Sequence, residues 1–161
     1  VKQHQTSIGK NDEWLTPPEI LKHLGPFDLD PCSAIVRPWN CASVNWTIVD
    51  DGLNKDWFGR VWLNPPFNRY ERPKWMEKMQ AHNNGIMLIP AACETASFYQ
   101  HVCYRASGIL MLEGRPHFYF NNGNRAKANS GCTICLVAYG LQNLNWLQNS
   151  NLGIVLSIPR Q

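Results

Sequence analysis

Three short apolar runs in this chain end against proline: Phe27-Asp28-Leu29-Asp30 before Pro31, Val61-Trp62-Leu63-Asn64 before Pro65-Pro66, and Ile86-Met87-Leu88-Ile89 before Pro90. Proline cannot donate to a sheet ladder, so each run is expected to be a strand with a hard C-terminal stop. Apolar runs at Val44–Val49, Gly108–Leu112, Thr133–Tyr139 and Gly153–Ile158 extend the set. Helical patterns lie among them. Pro73–Asn83 puts Trp75, Met76 and Met79 on one face, and Ala96–Arg105 repeats Phe98, Val102 and Ala106 at four-residue spacing. Strands alternating with helices predict an α/β sheet, mostly parallel in its first half. Leu110–Phe120 and Thr133–Tyr139 flank a polar stretch without helical pattern, which predicts an antiparallel hairpin in the second half.

The first helix has start and stop signals. Thr16 is placed as its N-cap, Pro17 as its first residue and Glu19 as the capping-box partner; Ile20, Leu21 and Leu24 give the buried face, and Gly25 ends it. The 161 residues suit one domain spanning 1–161, with a polar segment, 1–11, expected to be a flexible arm. A net charge of +3 suits a nucleic-acid partner without demanding one, and 17% charged residues rule out a highly charged tail protein. No apolar run approaches ~20 residues, so no membrane span is expected. Val1–Lys10 has no apolar signal core, which predicts a cytoplasmic protein whose six cysteines are reduced. The single Cys-x-x-Cys pair, Cys132 and Cys135, has no second pair or spaced histidines to complete a zinc site, and no metal is expected.

In an open parallel sheet, ligands bind in the crevice outside the carboxyl ends of the strands. Asp30 and Asn64, each just before a proline stop, are therefore expected to face one crevice. The sharpest motif is Asn64-Pro65-Pro66-Phe67. Consecutive prolines hold the backbone extended, so the Asn64 side-chain carbonyl and the Pro65 carbonyl can both accept hydrogen bonds from one exocyclic amino group. An aromatic amine is a poor nucleophile because its lone pair is delocalised into the ring. Two acceptors on its hydrogens favour a pyramidal nitrogen with that pair available, and Phe67 offers a face on which a flipped base can stack. Methylation of an amine by a sulfonium donor needs these parts, with no metal and no covalent intermediate.

Asp12-Glu13-Trp14-Leu15-Thr16-Pro17-Pro18-Glu19, Phe27-Asp28-Leu29-Asp30-Pro31-Cys32-Ser33, Asp51-Gly52-Leu53 and Arg60-Val61-Trp62-Leu63-Asn64-Pro65-Pro66-Phe67, in this order, resemble the phage and prophage DNA N6-adenine methyltransferases, the small Dam-like group. The resemblance runs from about Asp12 to Gly140 and includes Glu113-Gly114-Arg115. It implies a reduced Rossmann-like S-adenosylmethionine-dependent methyltransferase fold, α/β, with a mixed sheet and an antiparallel C-terminal hairpin. It further implies methyl transfer to adenine N6 of a flipped base in double-stranded DNA, in a bacterial host cell and from a phage or prophage gene, where restriction evasion is one use. Asn64, Pro65, Pro66 and Phe67 take the catalytic place. Asp30, Pro31, Cys32 and Ser33 take the place of the cofactor motif, and Thr16 and Pro17 that of the segment contacting the methionine end of S-adenosylmethionine. Trp14 packs on the cofactor or staples the first helix. Asp50 or Asp51 is the ribose partner, with the choice open. Two departures stand out: Asp30–Ile35 contains no glycine, and Phe67 replaces a common tyrosine.

About thirty residues separate the cofactor and catalytic motifs, too few for a recognition domain between them, so loops must read the DNA. One candidate is Asn68–Lys74 with Arg69, Arg72 and Lys74; the other is Arg115–Ser130 with Arg115, His117, Arg125 and Lys127. Two competitors remain: an N4-cytosine methyltransferase, acting on the same type of amine, and a catalytically inactive DNA-binding decoy or regulator.

Overall fold

The computed structural model describes residues 13–159; the N-terminal arm expected at 1–11 lies outside them. Seven strands form one mixed sheet: β1 Leu29–Asp30, β2 Val44–Asn45, β3 Val61–Leu63, β4 Gly85–Pro90, β5 Gly108–Leu112, β6 Ile134–Tyr139 and β7 Gly153–Ser157. Their order is β2-β1-β3-β4-β6-β5-β7. The first four pair in parallel, while β6 is antiparallel to both β4 and β5, and β7 is antiparallel to β5. The β5–β6 pairing is the expected hairpin, with β6 inserted between β4 and β5.

The central strands alternate strictly between two cores, as a pleated strand covered on both faces requires. Val61, Leu63, Met87, Ile89, Cys135, Val137 and Tyr139 face one core, with Trp75, Met76 and Met79 of α2 (Arg72–His82) and with Phe98 and Val102. Trp62, Ile86, Leu88, Ile134, Leu136 and Ala138 face the other, with Ile20 and Leu24 and with Leu144 and Leu147. Cys135 belongs to the first core and Cys132 packs on the second, so the Cys-x-x-Cys pair straddles the sheet. All six cysteines are free thiols. Among the described residues no helix is long and apolar enough to cross a membrane.

Four expectations need correction. Thr16 is not a helix cap: α1 is the short helix Pro18–Leu21 with Pro17 at the N-cap and no side-chain cap, because the Thr16 hydroxyl is buried and accepts instead from the Trp62 indole at 3.2 Å. The run Val44–Val49 is a strand only at Val44–Asn45. Thr47 and Asp50 then cap a 3₁₀ turn, Ile48–Asp50, that bends the chain away and leaves Ile48 and Val49 exposed. Ala96–Arg105 is helical but divided, with α3 (Ala96–Phe98) running into a π-helical turn, Tyr99–Cys103. The strand expected over Leu110–Phe120 stops at Leu112, and Gly114 turns away at φ 77°. α4, Leu141–Gln148, was not expected at all.

The strand order reverses between β1 and β3. The chain leaves β1 toward β2 on one side, and leaves β3 toward β4 on the other. Connections that diverge from adjacent strands open a crevice at their carboxyl ends.

Candidate functional site

Asp30 and Asn64 stand at this crevice. β1 and β3 are neighbours, paired through Leu29 and Val61, and Asp30 is the last residue of β1 while Asn64 directly follows β3. The Asn64 Nδ2 donates to the Trp14 carbonyl at 2.9 Å. A carbonyl only accepts, so this bond fixes which end of the amide is nitrogen and leaves Oδ1 as the free acceptor. Pro65 behind it is buried, while Pro66 and Phe67 are half-buried at the rim. Phe67 meets Phe118 edge to face, with ring centroids 5.8 Å apart.

The segment Trp14–Pro17 is clamped on three sides. Trp14 holds Asn64, Leu15 exchanges backbone hydrogen bonds with Tyr119, and Thr16 satisfies the buried Trp62 indole. Trp14 also packs against Phe120, at 5.1 Å between centroids, and Trp39 meets Tyr119 edge-on at 5.2 Å. The stretch Phe118–Phe120 thus runs beside the crevice as an aromatic strip linking Phe67, Trp14 and Trp39. No sequence motif marks this strip, nor Cys41, whose thiol lies within hydrogen-bond reach of both Asp30 and Thr16. Neither has a local signature, because each contact is made across the fold.

Asp30 is 3% exposed. Burial pushes its carboxyl up to about 7, opposed by hydrogen bonds from the Cys32 amide at 3.0 Å, from Cys41 and Ser33, and by the charge of Arg37. Pro31 and Ser33 are buried beside it and Cys32 half-buried, its thiol held well above the usual range by the same burial. A Cβ on Gly52 would sit 2.1 Å from the Pro31 carbonyl oxygen, so glycine there is the condition for the Asp51-Gly52 turn to close on the Asp30–Ser33 segment.

The two carboxylates beyond β2 have different duties. Asp50 accepts from the Thr47 amide at 2.8 Å and hydroxyl at 3.2 Å, and pairs with Lys55 at 3.3 Å, which together hold its carboxyl below the usual range. Asp51, at φ 55° and exposed, binds Asn54 Nδ2 through one oxygen only.

The basic residues are arranged unevenly. Lys74 pairs with Glu71 at 3.1 Å, Arg69 lies over the Tyr70 ring and bonds its hydroxyl, and Arg72 donates to the Phe67 carbonyl at 3.3 Å. Arg115, Arg125 and Lys127 are exposed, and His117 Nδ1 donates to the Ala126 carbonyl at 3.0 Å. Burial raises the Cys132 thiol above its usual range, and the charges of Arg115 and Arg72 oppose that shift.

The arrangement places one free amide oxygen, Asn64 Oδ1, near a buried acid and an aromatic wall. The family model described as DNA N-6-adenine-methyltransferase (Dam) matches residues 3–151 of the chain. No curated protein and no solved structure matches it.

Proposed function

The chain belongs to the DNA N-6-adenine-methyltransferase (Dam) family, and from that premise we propose that the β1/β3 crevice methylates adenine N6 of a base flipped out of double-stranded DNA, with S-adenosylmethionine as donor. Supporting this is the crevice itself: the strand order β2-β1-β3-β4-β6-β5-β7, with β6 antiparallel to both its neighbours, is compatible with a reduced Rossmann-like methyltransferase sheet, and its reversal lies between Asp30 and Asn64. We take 1–161 as one such domain.

The observation that carries the proposal is the Asn64–Trp14 bond. It aims Asn64 Oδ1 as an acceptor while the Pro65 carbonyl, following an extended residue, supplies a second. Both accept from the two N–H bonds of the adenine amine, draw its hydrogens out of the ring plane and free the lone pair. Pro66 keeps the segment stiff, and Phe67, braced by Phe118, stacks the base.

The crevice fits S-adenosylmethionine on the chemistry of its donors. Among the described residues Asp30 is a buried carboxyl without a cationic side chain hydrogen-bonded to it, and suits a cationic ligand; the Asp30-Pro31-Cys32-Ser33 segment and the Thr16-Pro17 segment form two walls, and Trp14 a third. Asp51, with one oxygen uncommitted, is the better ribose partner than Asp50, whose carboxylate is spent on Thr47 and Lys55. When bound, the cofactor supplies a methyl group on a positively charged sulfonium. Arg69, Arg72, Lys74, Arg115, His117, Arg125 and Lys127 grip phosphates and base edges.

The test is transfer of labelled methyl from S-adenosylmethionine to unmethylated DNA, with nucleoside analysis, for the wild type and Asn64→Ala. N6-methyladenine from the wild type, and loss of at least about a hundredfold with retained cofactor binding in the variant, are expected. Product as N4-methylcytosine moves the substrate, and wild-type rates from Asn64→Ala overturn the catalytic assignment.

A further inference from the structure

A second concavity, of about 350 Å³, lies on the same sheet edge as the crevice, away from Asp30 and Asn64. Because β6 is antiparallel to both β4 and β5, β5 points the same way as β3 and β4, and its end at Leu112 opens on the edge that carries Asn64. From β3 to β5 is three strand spacings, roughly 14 Å. The walls come from four separate parts of the chain: Pro17 with α1 and the residues just after it, the turn that follows β5, Arg125, and Leu152.

Three side chains with fixed positive charge line it, Lys22, Arg115 and Arg125, joined by His23 and His117. Glu19 and Glu113 also border it, yet among the described residues the ion pairs are Lys55–Asp50 and Lys74–Glu71, so none of the three cations is neutralised by a carboxylate partner. By contrast, Arg37 bonds Asn40 and the Ala34 carbonyl, and Lys55 and Lys74 each pair with a carboxylate. Unpaired cations converging in a concavity from distant segments repel one another unless an anion joins them.

We infer that this cleft seats a sugar–phosphate unit of the substrate DNA, with Lys22 of the α1 flank as a phosphate contact that sequence analysis did not identify, beside Arg115 and Arg125. The inference rests on the DNA-methyltransferase reading and extends it. At 3.4 Å of helix axis per step, 14 Å along the duplex corresponds to roughly four base-pair steps from the flipped base. The enzyme therefore holds the backbone at a point remote from the reacting adenine.

The test uses the full chain with a random-sequence 20-base-pair duplex, titrated by fluorescence anisotropy across a salt series, together with kcat and KM for methylation of plasmid DNA. Lys22→Gln and Arg125→Gln each remove one phosphate contact, so the slope of log K against log salt falls in magnitude by about 0.9 in each. Between 50 and 200 mM salt the affinity loss is then about 3.5-fold smaller than that of the wild type. KM for DNA rises in both cleft variants. Arg105→Gln, an exposed cation before β5 on the opposite sheet edge, keeps the wild-type slope. Wild-type slopes in both cleft variants, from protein that binds and methylates DNA, overturn the cleft alone. A wild type that neither binds nor methylates DNA overturns the proposed function and the cleft with it.

Discussion

Asp30→Asn should make the protein more stable and leave it without cofactor binding. The Asp30 carboxyl is buried at the end of β1 with its value raised from 3.8 to about 7, chiefly by desolvation. Between those two values the folded state holds a proton that the unfolded state has released. Folding stability therefore falls as pH rises through that window, by about 1.4 kcal/mol per unit, and is flat above about 7. Raising pH from 5.5 to 8 loses about 2 kcal/mol through this one group, because the loss stops near 7. Asparagine cannot ionise, and its Oδ1 still accepts from the Cys32 amide. Urea denaturation of wild type and variant at both pH values is the assay. The stability gain from Asp30→Asn should be about 2 kcal/mol larger at pH 8 than at pH 5.5. Calorimetric titration with S-adenosylmethionine should show binding lost or reduced more than tenfold. A gain independent of pH would refute the account of a buried, destabilising carboxyl. Undiminished cofactor affinity would remove Asp30 from the cofactor site.

Wild-type S-adenosylmethionine affinity should itself weaken below about pH 7, by up to about tenfold per unit, since a cationic ligand needs the Asp30 carboxylate; calorimetry across pH 5.5–8 checks the sign. Thr16→Val strands the Trp62 indole N–H in the core and should cost about 1–3 kcal/mol, a fall of roughly 3–9 °C in Tm for a chain of this size, measured by scanning calorimetry. Gly52→Ala drives a methyl into the Pro31 carbonyl, so cofactor affinity should drop with the Asp30–Ser33 segment displaced, while DNA affinity measured without cofactor stays near wild type. Phe118→Ala removes the edge-to-face brace on Phe67; KM for DNA should rise several-fold in steady-state methylation assays, and an unchanged KM would separate Phe118 from base stacking.

What the sequence determined by itself is local. Proline stops, apolar runs and helical spacing placed Val61–Leu63, Gly108–Leu112 and the Arg72–His82 helix to within a residue or so, because each is set by neighbours along the chain. The Asn-Pro-Pro-Phe motif proposed as catalytic could be picked out for the same reason: its four residues are consecutive. Tertiary structure decided what depends on distant partners. Thr16 carries every local mark of a helix cap, yet burial of the Trp62 indole, 46 residues away, claims its hydroxyl, since an unsatisfied buried donor costs more than an open helix end in water. Asp50 and Asp51 are equivalent in sequence, and only the Thr47 cap and Lys55 distinguish them. The aromatic strip Phe118–Phe120, the Asn64–Trp14 bond and the convergence of Lys22, Arg115 and Arg125 exist because the sheet order brings together segments up to a hundred residues apart, a juxtaposition that no window of sequence contains.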